Sequence, residues 1–132
     1  MSDKSTVSRG FNSLMDEFVE DVITVLPENN EIRAAKASLG TIRKMNPMAV
    51  IRLWHKYVYV PYSELITAGD ISFFFDKDYG HDLRNMPNAE KIIAAIDNIR
   101  GPVKSMDSEN QKCAMSYIQK LSKLSFVYSQ LQ

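Results

Sequence analysis

Apolar residues return every three or four positions at Phe11, Leu14, Met15, Phe18, Val19, Val22, Ile23 and Leu26, which predicts an amphipathic helix of about four turns. Asp16, Glu17, Glu20 and Asp21 occupy its other face, and Pro27 stops it because the proline ring disfavours a helical residue before it. Asn29 or Asn30 caps a second helix, in which Ile32, Ala35, Leu39, Ile42 and Met45 repeat at helical spacing. Gly40 lies inside that run, and the expectation is a pinch there or a closely packed neighbour. Asn46 and Pro47 read as the cap and first residue of a third helix through Val50, Ile51, Leu53, Trp54, Tyr57 and Val58, broken near Val60 by Pro61.

Pro61 then opens a short helix with Tyr62, Leu65 and Ile66 inward, closed by Ala68 and Gly69. Asp70 caps a helical turn carrying Ile71, Phe73 and Phe74. A strand over Ile71 to Phe75 would suit those side chains, but no second alternating run exists to pair with it. Asp76 to Pro87 is polar and aperiodic and reads as the main loop. Asn88 caps a helix burying Ile92, Ile93, Ala95, Ile96 and Ile99, which runs past a kink at Gly101 and Pro102 toward Val103 and Met106. A last helix, capped by Asp107 or Ser108, aligns Ala114, Tyr117, Ile118, Leu121, Leu124, Tyr128 and Leu131. The pattern predicts an all-α, single-domain bundle of five or six helices over residues 1–132, with residues 1–8 flexible.

The 132 residues are 45% hydrophobic and 24% charged, enough apolar material to form a core without staples. The lone Cys113 makes an internal disulfide impossible and reads as a small core or boundary residue. Sixteen basic residues balance sixteen acidic ones, so no overall field favours a polyanion. The polar start lacks the apolar segment of a secretory signal, and no run approaches the roughly 18 apolar residues of a membrane span. The expectation is a soluble intracellular protein.

Asp76, Asp78, Gly80 and Asp82 alternate oxygen donors around a glycine, the beginning of a hard-cation loop. The pattern then departs from a calcium hand, with Gly80, His81 and Pro87 where ligand, glycine and glutamate would fall, and Lys77 and Arg84 offer positive charge instead. Asp76, Asp78 and Asp82 remain the metal candidates, weighed against a charged loop with local caps. His55 and His81 do not have zinc-site spacing, and no glycine-rich phosphate loop occurs, so no cofactor is expected. A nucleophile built from Cys113, His81 and Asp82 would need the fold to assemble it. The carboxylate pairs Asp16 with Glu20 and Glu17 with Asp21 lack the histidines of a bundle metal site.

Charge is unevenly placed. Phe11 to Asn30 holds five acidic residues and no basic one, whereas Glu31 to Lys56 holds six basic residues and one acid. Arg33, Lys36, Arg43, Lys44, Arg52 and Lys56, with Trp54 beside them, form a candidate binding face for an acidic protein or phosphate backbone. The competing expectation is that these cations pair with the acidic first helix. Trp54, Tyr57, Tyr59, Tyr62, Phe73, Phe74 and Phe75 read either as the centre of the core or as a partly exposed groove.

The stretch Phe18 to Asn29 ending Leu-Pro-Glu-Asn, Lys-Met-Asn-Pro at 44–47, Tyr-Val-Pro-Tyr at 59–62 and Gly-Asp-x-x-Phe-Phe at 69–74 together resemble small uncharacterised proteins of large nucleo-cytoplasmic DNA viruses, including those of marine algae. The resemblance covers most of the chain and implies a viral origin, in the cytoplasm or nucleus of a host cell, and carries no activity. The functional expectation is a non-enzymatic interaction or assembly module, binding a protein partner or its own copy. The alternative is a nucleic-acid accessory factor.

Overall fold

The computed structural model describes residues 3–76 and 89–131, and its regular elements are all helices. Of residues 1–8, expected to be flexible, the described ones from Lys4 onward lie in the first helix. Asp3 accepts the Thr6 N–H at 2.8 Å and starts α1 (Lys4–Val25), burying Val7 and Ser8, while the Lys4 ammonium lies 5.2 Å from the centre of the Tyr128 ring. Pro27 follows the end of α1, and Asn29 accepts the Ile32 N–H at 3.0 Å to begin α2 (Asn30–Met45). Glu31 in its first turn and Arg43 and Lys44 in its last complement the helix dipole.

Gly40 marks no close approach, since nothing lies within 4 Å of a Cβ built there. The tight place is Gly101, where a Cβ would come 2.8 Å from the Glu31 carboxylate as α2 packs against α6 (Ala89–Ser105). Met45, expected inward, is 69% exposed, because it falls in the last turn of α2.

Asn46 and Pro47 form a turn and do not open the next helix as expected. The Asn46 side chain accepts the Met48 N–H at 3.1 Å, the Asn12 side chain donates to the Pro47 carbonyl at 2.9 Å, and α3 (Ala49–Trp54) starts afterwards. Nor does Pro61 break the third helix. A π-helical turn (His55–Tyr59) follows α3 directly and leads into α4 (Val60–Ala68), with Val60 N–H reaching back to His55 O. The wider turn accommodates a proline that has no N–H to give, and the remaining distortion falls on Tyr62 at φ −126°. Gly69 closes α4 at φ +77°, a conformation that strains any residue with a Cβ.

Asp70 accepts the Ser72 N–H and hydroxyl at 3.0 and 2.6 Å, and α5 (Ser72–Asp76) is the helical turn expected in place of a strand. The loop expected over Asp76 to Pro87, apart from the backbone of Asp76 at the end of α5, and the Asn88 cap lie outside the described residues. α6 carries the buried Ile92, Ile93, Ala95, Ile96 and Ile99 and continues through Pro102. Gln111 donates to the Val103 and Lys104 carbonyls near the end of α6, and Asp107 caps α7 (Ser108–Gln130) through Asn110 N–H. With α3, the π turn and α4 running on without a break, the described residues form six helices in one all-α bundle.

Trp54 lies at the centre. Its ring meets Phe11 edge-on at 6.1 Å and Phe74 at 6.5 Å, and its indole N–H donates to Ser122 Oγ at 3.0 Å. Around it pack Phe18, Ile32, Ile51, Ile92, Ile96, Ile99, Ile118 and Leu121, all fully buried. α1 lies antiparallel to α7, as the pairs Lys4 with Tyr128 and Phe18 with Tyr117 require.

Candidate interaction surface

The six cations of the candidate binding face have different surroundings. Lys36 pairs with Glu20 at 2.5 Å and Arg43 with Asp16 at 2.7 Å, both across the α1–α2 junction. Arg33 donates to the Pro27 carbonyl, from Nη2 at 2.6 Å and Nε at 3.2 Å, so it holds the turn between those helices. Arg52 points toward α7, where its Nε donates to the Tyr128 hydroxyl at 3.1 Å. Lys56 lies 5.4 Å from the centre of the Tyr57 ring, and Lys44 is exposed. Trp54 cannot belong to a binding face, because it is completely buried.

Of the aromatic cluster, Trp54, Tyr57, Phe73 and Phe74 are core, while Tyr59, Tyr62 and Phe75 are half-buried. Cys113, expected as a small core or boundary residue, is exposed, since it falls off the buried stripe of α7. It borders a depression of about 180 Å³ between α1 and α7 with Phe18, Asp21, Val25 and Tyr117. There the Tyr117 hydroxyl donates to Asp21 at 2.8 Å. That bond, with burial and the nearby acidic charges, pushes its pKa up to about 12, so the phenol stays protonated and is no general base. Asp78, His81 and Asp82 lie outside the described residues, as does the side chain of Asp76. Among the described residues no three His, Cys, Asp or Glu side chains converge as a metal site. No helix of the described residues is long and apolar enough to cross a membrane.

The surface that departs most from ordinary packing is the seam where the π turn and α4 run antiparallel to α7. Phe126 is 44% exposed there, and α4 itself carries Val60, 58% exposed, and Leu65, expected inward and 38% exposed. Phe126 leans on Tyr59 at 5.9 Å, and Tyr59 stacks on His55 at 5.6 Å. Burial lowers the pKa of His55, whose Nδ1 has no hydrogen-bond partner, so the ring is held neutral.

Two depressions follow α7 along this seam. One, of about 250 Å³, is lined by Tyr59, Ile66, Thr67, Lys123 and Phe126 among others. The next, of about 330 Å³, has Gly69, Ile71, Lys112 and Met115 in its walls. Gln119 lines both, and its amide donates to the Ile66 carbonyl at 2.9 Å, tying α7 to α4 between them.

The sequence held a signal for this seam. Phe126 lies off the apolar stripe that runs from Ala114 to Leu131, and a large aromatic off its stripe has no core position to fill.

No protein-family model matches the chain, and neither a curated protein nor a solved structure matches it.

Proposed function

We propose that the protein is a non-enzymatic interaction module that binds a protein partner through the seam between α4 and α7. The observation that carries this reading is Phe126, a large aromatic left 44% exposed beside a half-buried tyrosine and a groove. Exposed aromatics at such a rim are the usual anchors of protein interfaces. An intracellular setting belongs to the same proposal, and the exposed thiol of Cys113 suits a reducing compartment. The test compares wild type with Phe126→Glu in sedimentation and in affinity capture at micromolar concentration. Wild type is expected to self-associate or retain a partner, and the variant to lose this while keeping its helical circular dichroism and a cooperative melt. A wild type that stays monomeric and retains nothing, or a variant that behaves identically, overturns the reading.

The second reading, a nucleic-acid accessory factor using Arg33, Lys36, Arg43, Lys44, Arg52 and Lys56, has less support. Two of those cations are neutralised by Asp16 and Glu20, and a third serves a turn. Titration with DNA and RNA across a salt series decides it, because phosphate contacts weaken steeply as salt rises. Absence of binding at low salt removes it.

A further inference from the structure

We propose that the partner segment taken by this seam is an acidic amphipathic peptide, with apolar side chains in the two depressions and carboxylates on Lys112 and Lys123. The proposal rests on the interaction reading above and adds the chemistry of the partner.

From Gln111 to Gln130, α7 carries Lys112, Lys120 and Lys123 and no acidic residue. All three are exposed, and none pairs with an acid among the described residues. This differs from the α1–α2 junction, where exposed cations meet carboxylates of the same chain. Among the described residues, Lys112 and Lys123 are the charged side chains lining the two depressions, and no carboxylate lines either one. Eleven residues separate them, about 16 Å along the helix, and that spacing returns them to nearly the same face.

Between the two cations apolar Ile66, Ile71 and Met115 alternate with the hydroxyls of Thr67, Ser116 and Ser122, with the Gln119 amide at the junction. From Ser108 to Phe126 the seam runs about 27 Å along α7, the length of a short helix or an extended segment of a partner. A ligand complementary to that pattern alternates apolar anchors with negative charge.

A single-stranded nucleic acid fits less well. A backbone-tracking groove needs a continuous row of cations and open aromatic faces. Here only two lysines line the depressions, with apolar and uncharged polar side chains between them, and Tyr59 is engaged by His55 and Phe126.

Selection of displayed random 15-residue peptides against the full chain tests the proposal. Counter-selection uses Phe126→Glu, and binding is then measured to wild type and to the double variant Lys112→Glu, Lys123→Glu. Both lysines are solvent-exposed, so circular dichroism and the melting temperature should stay unchanged. The expected result is enrichment of peptides combining Asp or Glu with Leu, Phe or Trp. Their affinity should fall about tenfold or more in the double variant and should decline with salt. Enriched peptides that are neutral or basic, or acidic peptides that bind the double variant equally well, overturn the assignment of partner chemistry while leaving the interaction reading standing. No enrichment over Phe126→Glu overturns both. Labelled single-stranded DNA binding wild type more tightly than the enriched peptides also overturns the proposal.

Discussion

Across the α1–α2 junction the charged side chains satisfy one another, with Glu20 on Lys36, Asp16 on Arg43 and the Arg33 guanidinium on a backbone carbonyl. Along the α4–α7 seam no carboxylate of the described residues pairs with the lysines, and Phe126 remains partly in water. Both are junctions between helices of one bundle, yet the first is closed within the chain and the second is unfinished. A surface residue that satisfies nothing in its own chain costs little stability and is available to a partner. The difference explains why the basic segment from Glu31 to Lys56, prominent in sequence, makes a poorer candidate than the later and less conspicuous lysines of α7.

Experiments can press on this contrast, beginning with the floor that the seam rests on. Trp54→Ala should cost about 3–5 kcal/mol, since a fully buried indole between Phe11 and Phe74 leaves a cavity that the bundle cannot refill, and urea denaturation will read it. A loss below about 1 kcal/mol would mean that the centre is not packed as described. Ser122→Ala, directly under the seam, strands the Trp54 indole N–H in a buried site and should cost about 1–3 kcal/mol.

On the closed side, Gly40→Ala should stabilise the protein by about 1 kcal/mol, because the added methyl meets nothing within 4 Å and helix propensity alone acts. A destabilised variant would restore the close approach that the sequence suggested. Smaller still, Asp16→Ala should lose less than about 1 kcal/mol, in keeping with an ion pair half open to solvent, and the loss should shrink at high salt. Phe126→Glu should cost no more than about 1 kcal/mol, the loss of its contact with Tyr59, and it sharpens the comparison most directly, because binding and folding then separate.

Stability should also depend on pH. Burial depresses the pKa of His55 in the folded state, so the unfolded chain binds more protons once pH falls below the ordinary histidine value of 6.5. Stability should therefore be full above that value and decline as the solution is acidified through it. His55→Gln should flatten this part of the profile, and an unchanged slope in thermal melts from pH 7.5 to 5 would remove His55 as its source.

Much of the architecture was legible from spacing. The stripes of α1, α2, α6 and α7 appear as buried residues, and the caps Asn29 and Asp107 and the left-handed Gly69 stand where turn chemistry puts them. Misreadings cluster at prolines and helix ends. Pro61 signalled a break, but a π turn absorbed it, and such a turn depends on what the flanking helices pack against rather than on local preference. The extension of α1 back to Lys4 likewise depends on Val7 finding a core and Lys4 finding Tyr128, more than a hundred residues away in the chain.

Periodicity and capping are properties of neighbouring residues, so the order of six helices, their inner faces and most of their ends were determined by the linear chain. Which cations would be neutralised was not, because ion pairing requires two helices to be brought side by side. Folding placed Glu20 beside Lys36 and Asp16 beside Arg43, put Trp54 at the centre instead of on a face, and set the bare lysines of α7 against a groove beside α4. Tertiary packing alone decides such partners, since the distances that govern charge and burial are measured through space and not along the backbone.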